Sequence, residues 1–447
     1  MSPGLPEVWA GVESSYLRIR NRRRDQLAET GHADRPDDLD RLASLGVRAV
    51  RYPILWGRGP VRHGTDWTWA GARLGRLLQL GIDPVVELLH HGFGPGHLHP
   101  LDPDWPAAFG RFAGRVARRF PDVRWWLPIN EPLTTARFSG LYAWWWPHSA
   151  DHPTFVRLLL AQVLGWRAAA RAIRRVRPDA RLIVNEDVGR TWGTPRVALA
   201  AAHDAARRWL TFDLLTGRVD RAHPLWEGMV AVPGAAAVLE ELVRDPEPPD
   251  VLGLDYYLTS DRFLDHRADA YPEELRGGGH GLRYADAEAV RVAGEGLAGW
   301  DRIIDDAWRR YRMPLALTEV QLTGELDDQV AWWREAWDAA VAACAAGADV
   351  RAVTAWSVFG SWDWDSLLRR RGRTFAPGPL SPEPEAAGPL ADAIRAAARH
   401  GDPGPAPTGW WRRPDRVRYH PSVLWRSAED GPEAVTDLPS ELVAAAP

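Results

Sequence analysis

Trp126-Leu127-Pro128-Ile129-Asn130-Glu131-Pro132 is a short apolar run that stops on a carboxylate, and Leu315-Ala316-Leu317-Thr318-Glu319-Val320 repeats the form far along the chain. A carboxylate directly after a buried strand is costly unless it opens into a polar pocket, so two such strand ends point to one shared site. No local motif spans that separation. The fold has to bring distant strand ends to one rim.

Outward from these two stretches, apolar runs of strand length recur at residues 8–12, 49–54, 84–89, 124–129, 181–185, 251–256, 315–318 and 352–356. Amphipathic stretches with helical spacing lie between or after them, as at 36–45, 70–80, 105–119, 155–175, 327–346 and 390–399. Repeated strand-helix alternation with near-continuous apolar strands predicts an α/β fold, a closed parallel (β/α)8 TIM barrel. The rival is an open doubly wound sheet. That fold usually announces a Gly-rich phosphate turn after its first strand, and Gly11-Val12-Glu13-Ser14-Ser15 is not one. The expected organisation is a single domain with long βα loops, residues 1–400 forming the barrel and 401–447 an irregular C-terminal extension packed on it. Residues 191–249 and 258–300 are too long for simple connections and read as mobile loops or small helices near a site.

Composition narrows the function. The chain has 447 residues, a net charge of −4 and 26% charged residues, which gives no reason to expect a nucleic-acid partner. Every side-chain cation is an arginine, which rules out a lysine nucleophile or Schiff base. The lone cysteine, Cys344, sits in an Ala-rich run and reads as a buried small side chain. The N-terminus lacks a basic segment followed by an apolar core, and no run approaches the ~20 apolar residues of a membrane span. The expectation is a cytoplasmic protein without a membrane partner; the sequence leaves its oligomeric state open.

A barrel of this type carries its site at the carboxyl ends of its strands. There this chain places Arg51 on strand two, His90-His91 after strand three, Asn130-Glu131 after strand four and Asn185-Glu186-Asp187 at strand five. Asp255-Tyr256-Tyr257 end strand six, Glu319 ends strand seven, and Trp356 followed by Trp362-Asp363-Trp364 ends strand eight. These groups lack the His and Cys spacing of a zinc site, and chemistry run by two carboxylates needs no metal and no cofactor. Two facing carboxylates suit glycoside hydrolysis, one protonating the leaving oxygen while the other attacks the anomeric carbon. The apolar strand ahead of Glu131 supplies the desolvation an acid needs. Arg51 and a tyrosine hydroxyl would keep the nucleophile ionised, and Asn130 is placed to donate to a sugar hydroxyl.

These motifs resemble the clan of retaining (β/α)8 glycoside hydrolases, most nearly the family 1 β-glucosidases, over about residues 9–399. Asn130-Glu131-Pro132 is similar to that family's acid/base motif and Thr318-Glu319 to its nucleophile motif. Arg51-Tyr52-Pro53-Ile54-Leu55-Trp56, His90, Gly253-Leu254-Asp255-Tyr256-Tyr257 and Trp356 to Trp364 match further motifs in order. The resemblance implies that Glu319 attacks, that Glu131 is the acid/base, and that Tyr257 lies beside the nucleophile. It implies a saccharide or glycoside substrate and supporting roles for Arg51, His90, Asn130, Asp255, Trp356, Asp363, Trp364 and Glu13. The departures fall on sugar recognition. Glu13 stands near the family's strand-one glutamine, Asp255 for an asparagine, Asp363 for a glutamate and Val320-Gln321 for Asn-Gly, so the expected glycone is not plain glucose. Leu88 to Gly92, Thr259 to Asp265 and Gly409 to Pro414 also resemble the glycosidase-like half found fused to dTDP-4-dehydrorhamnose reductase-type domains.

Plainer readings stand beside these. Arg51 reads equally as a holder of Glu319 or a structural ion pair, His90 as a site group or a satisfied core histidine, and His91 as structural. Trp144-Trp145-Trp146 either lines a channel for the leaving group or pins its own loop. Glu186 and Asp187 read as capping or pairing groups, and the Arg18 to Arg24 run as a solvated loop. A retaining β-glycosidase is the leading function. A transglycosidase using the same covalent intermediate and a non-catalytic carbohydrate-binding barrel are the alternatives.

Overall fold

In the computed structural model, which describes residues 4–59, 67–279, 281–294, 296–382 and 388–420, eight parallel strands close into a barrel. They are β1 (Glu7–Gly11), β2 (Ala49–Pro53), β3 (Asp83–Glu87), β4 (Trp125–Leu127), β5 (Arg181–Asp187), β6 (Val251–Asp255), β7 (Leu315–Val320) and β8 (Val350–Ala355). Each pairs with its sequence neighbours, and β1 closes the ring by pairing with both β2 and β8. All eight expected strands are present. β4 stops at Leu127, short of the expected Ile129, because Pro128 has no N–H for the ladder; Asn130 then makes single bridges to His90 and Asn185.

One side chain from every strand meets in the barrel core: Trp9, Ala49, Val85, Leu127, Ile183, Val251, Ala316 and Ala352. Three of these are alanines, and the large Trp9 indole fills the room they leave. The side-chain period of two sets the next level up. Arg51, Glu87 and Asn185 each follow a core residue by two positions, so they face inward at the carboxyl-end rim.

The strands are joined through outer helices, α1 (Asp38–Ala43), α2 (Thr68–Gln79), α3 (Trp105–Arg119), α4 (His152–Val176), α5 (Ala235–Arg244), α6 (Gly299–Tyr311), α7 (Leu326–Ala345) and α8 (Gly388–His400). Helix α3 buries Trp105, Phe109, Phe112, Ala113 and Val116 on one face. It lies close against α4 because Gly110 has no side chain; a Cβ there would stand 2.9 Å from the Cβ of Ala168. Asp151 starts α4 by accepting from the Thr154 N–H at 2.7 Å. No helix among the described residues is long and apolar enough to cross a membrane.

The chain divides into two compact units, one of Met1–Val188, Trp209–Tyr256 and Trp300–Thr408, the other of Gly189–Arg208, Tyr257–Gly299 and Gly409–Pro447. The first holds the barrel. The second holds a four-stranded sheet in the order Arg276–Gly279, Leu282–Glu288, Arg262–Asp265, Thr191–Gly193. The two long connections do hold small helices, among them Ala198–Arg207, Leu210–Leu215 and Trp226–Val230, but the sheet is an element that the expectation of loops or small helices missed. Its strands alternate, with Phe263 packed on Tyr271, Ala285 and Ala287 on one face and Leu264 on Val197, Ala200 and Tyr284 on the other. Within the same unit Tyr419 bridges to Val292, and its ring packs tilted against Tyr271 at 4.7 Å. Of the expected C-terminal extension, residues 421–447 lie outside the described residues.

Candidate active site

Arg51 is the hub of the barrel mouth. Its guanidinium donates to Glu319 Oε1 at 2.7 Å, to Glu87 Oε1 at 2.6 Å and to Asn130 Oδ1 at 2.6 Å, and lies 4.2 Å over the Trp356 ring. Burial alone would weaken this cation, but Glu87, Glu319 and Asp255 hold its pKa above the ordinary arginine value. Desolvation likewise opposes ionisation of Glu87, and Arg51 and His90 more than offset it, bringing that carboxyl down to about 2. The Glu87 carboxylate also accepts from Ser14 Oγ at 2.9 Å and lies 3.1 Å from His90 Nδ1. Burial lowers the His90 pKa while Glu87 and Glu13 raise it, and the net shift is upward. Glu13 stands 3.8 Å from His90 Nε2 and accepts from the Ser15 N–H and hydroxyl at 2.9 and 2.6 Å.

Glu131 follows Asn130 with a left-handed backbone, φ 40 and ψ 67, and leads into the helical turn Pro132–Ala136. Asn130 is locked from every side. Its Oδ1 accepts from Arg51 and from Asn185 Nδ2 at 2.6 Å, and its Nδ2 lies 3.2 Å from both His90 Nε2 and His91 Nε2. Asn185 Nδ2 also donates to Asp255 Oδ2 at 2.5 Å, and Thr318 Oγ1 donates to Asp255 Oδ1 at 2.5 Å. Gly253 makes room for this layer, since a Cβ there would stand 2.6 Å from Thr318 Oγ1. In β7 the pairing with β6 shifts between Leu317 and Glu319, so Thr318 is an extra residue and the bulge re-aims Glu319.

Three buried carboxylates therefore converge, with one oxygen each of Glu131, Asp255 and Glu319 all within 4.8 Å of one another. Desolvation, and then the charges of Glu319 and Asp255, push the Glu131 carboxyl well above its usual range. Desolvation and Glu319 do the same to Asp255. Among the described residues this is the group that could share a metal ion, and its oxygens would suit a hard divalent cation. Arg51 and protons on Glu131 and Asp255 can neutralise the same charge.

The remaining expected residues fall in different places. Trp356 lies under Arg51 and stacks on His90 at 5.7 Å, while Trp364 and Trp145 surround His91 at 5.5 and 4.7 Å. Tyr257 belongs to the second unit, where its N–H donates to Ser260 Oγ at 3.0 Å. Asp363 has both oxygens committed, accepting from Arg24 Nη2 of the hairpin after β1 at 2.8 Å and from the N–H groups of Gly372, Arg373 and Thr374 in its own loop. Burial opposes ionisation of Asp363, but these donors leave it below the usual carboxylate range. Glu186 caps the turn after Glu131, accepting from Leu133 N at 2.5 Å and Thr211 Oγ1 at 2.6 Å, while burial pushes its carboxyl up to about 7. The Arg18 to Arg24 run is solvated over most of its length, as expected, but it is a hairpin rather than a loop. It turns between the paired strands Tyr16–Ile19 and Arg22–Asp25, with Arg24 buried between Glu29 and Asp363.

Glu87 was not singled out from the sequence, and His91 and Asn185, though placed at strand ends, were given no part in the site. Glu87 carried a usable signal, a carboxylate inside the apolar run Val85-Val86-Glu87-Leu88-Leu89. His91 Nε2 lies 3.6 Å from Glu131 Oε2 and its Nδ1 lies 3.0 Å from Thr135 Oγ1. Burial, then His90 and Arg51, keep its pKa well below the ordinary value, so it faces the Glu131 carboxyl as a neutral ring.

No family model matches the chain. By sequence it is similar to beta-glucosidase 4 of Oryza sativa subsp. japonica, 24% identical over 80% of this chain and 82% of that one. It is also similar to the thermostable beta-glucosidase B of Thermobispora bispora, 28% identical over 76% of this chain and 74% of that one. A β-glucosidase from Thermotoga maritima in complex with cyclophellitol shares the fold with a TM-score of 0.63 at 18% identity, covering 81% of this chain and 90% of that one. The relatives of this barrel, by sequence and by fold, are glycoside hydrolases of the β-glucosidase type.

Proposed function

We propose that the protein is a retaining β-glycosidase working by double displacement. The observation that carries this reading is that one oxygen each of Glu131 and Glu319 lie within 4.8 Å of each other, an approach that suits the ~5–5.5 Å carboxyl separation of retaining enzymes. Glu319, held by Arg51 at 2.7 Å, attacks the anomeric carbon as the glycosidic bond breaks. Glu131, kept protonated by burial, gives its proton to the departing oxygen. It then takes a proton from the water that releases the sugar from Glu319.

Asp255 adds a third carboxylate to the sugar side and Asp363 is committed to its loop, which supports a glycone other than plain glucose. The likeness to the glycosidase half of reductase fusions supports a place in sugar or polysaccharide metabolism, and the buried Cys344 accords with a cytoplasmic setting. Incubation with a panel of 2-fluoro aryl β-glycosides followed by peptide mass spectrometry tests the mechanism. The label belongs on Glu319, and the first product anomer seen by NMR should retain configuration. A label elsewhere or net inversion overturns the reading, and ligand binding without turnover across the panel would favour a non-catalytic barrel.

A further inference from the structure

Two arginine-rich stretches meet at the rim, one after β1 and one after β8, the strands that close the barrel side by side. In the first, Arg18, Arg20, Arg22 and Arg23 are exposed; in the second, Arg369, Arg370, Arg371 and Arg373 are exposed, between the paired strands Ser361–Trp362 and Phe375–Ala376. The buried Arg24 ties the two together, donating to the carbonyls of Leu368 and Arg370 and to Asp363. Among the described residues the ion pairing of these eight exposed arginines is limited to Arg371 with Glu29 at 3.8 Å, and Glu29 is already held by Arg24. Of the acids on the same loops, Asp25 is paired with Arg58, and Asp365 is exposed. On a chain of net charge −4 this is a concentrated, largely uncompensated positive surface.

Its position relative to the chemistry is set by the loop after β4. The Trp146 N–H donates to Arg18 O at 3.0 Å, and Arg18 lies over the Trp146 ring at 4.9 Å. Arg369 lies over Trp144 at 4.9 Å, and Trp145 Nε1 donates to Leu367 O at 2.9 Å. Trp145 in turn touches His91, which touches Glu131. The chain of contacts ends on the acid, and the acid marks the side from which the leaving group departs. We propose that this rim is a subsite for an anionic leaving group, so that the preferred substrates are β-glycosides whose aglycone carries a carboxylate, sulfate or phosphate. The guanidinium fork matches the paired oxygens of all three. The proposal rests on the glycosidase reading of Glu131.

The test compares neutral aryl β-glycosides with counterparts whose ring bears a carboxylate, a sulfate ester or a phosphate ester. It uses the full chain and the variant R22Q/R23Q/R370Q/R373Q. The anionic-to-neutral ratio of kcat/KM should exceed one at low salt, decline as salt rises, and fall about tenfold in the variant, with the three anions ranking the group preferred. An unchanged ratio in the variant, or a ratio below one in the wild type, overturns the proposal. If no glycoside of either class is hydrolysed, the glycosidase reading itself has failed. Calorimetry with oligogalacturonate and a sulfated oligosaccharide then decides the anion site: salt-sensitive binding lost in the variant supports it, and no binding overturns it. Tighter binding to single-stranded DNA or phosphatidylserine vesicles than to either saccharide also overturns it.

Discussion

Glu131 combines a left-handed backbone with a carboxyl group whose pKa burial and neighbouring negative charge hold well above the usual range. For a residue other than glycine such a conformation costs about 1–3 kcal/mol, and it persists because the Glu186 cap and the Asn185 contact fix the chain on either side. Glu131, Asp255 and Glu319 lie too close to titrate independently, so protons leave the set stepwise and the last one departs against two negative charges. Asp255→Asn removes one of those charges. The last step then occurs at lower pH, and the alkaline limb of the kcat/KM profile should move downward by about one pH unit. A limb that stays in place or moves upward would show that Asp255 does not load the acid. Glu131, Glu319 and Arg51 were legible because a charge at the end of an apolar run is an anomaly. His91 was named at its strand end but read as structural; it lies past the end of β3 with a φ of 56, and no residue pattern announces that backbone rotation.

The hairpin of Tyr16–Ile19 and Arg22–Asp25 shows how an element alters the reading of its residues. A run of arginines normally marks a solvated segment, and most of this one is exposed. Register decides the exception: Arg24 lies opposite the buried Leu17, so pairing carries it to the inner face, where Glu29, Asp363 and two carbonyls receive it. The turn at Arg20-Asn21 between two four-residue strands was the local cue. Arg24→Met should cost about 3–5 kcal/mol in urea unfolding, because it leaves the buried Asp363 and the part-buried Glu29 without their shared cation. The loss should depend on pH. Despite burial, the Asp363 pKa is depressed in the folded state, so the stability it brings is present above the unfolded value near ~3.9 and lost as pH falls through the folded one. The gap between wild type and variant should therefore shrink in acid, and a constant gap would locate the effect elsewhere.

Across the whole molecule, legibility followed the amount of apolar surface each part buries. The barrel strands are buried on both faces and stand out as apolar runs, whereas Arg276–Gly279 of the second unit is three parts glycine and left no period to read. The barrel's dependence on its core can be tested at Trp9, the one large ring that completes a level otherwise containing three alanines. Trp9→Ala should lower the unfolding free energy by about 3–5 kcal/mol, since small neighbours fixed in a closed sheet cannot collapse into the space. In urea the midpoint should fall with little change in slope. Activity per folded molecule should survive, because Trp9 shares its level with Ala49 and Val85, two residues before the Arg51 and Glu87 that face the site. A loss under about 1 kcal/mol would mean that the eight strands close up around the gap, and the rigid floor assumed beneath Glu131 and Glu319 would have to be abandoned.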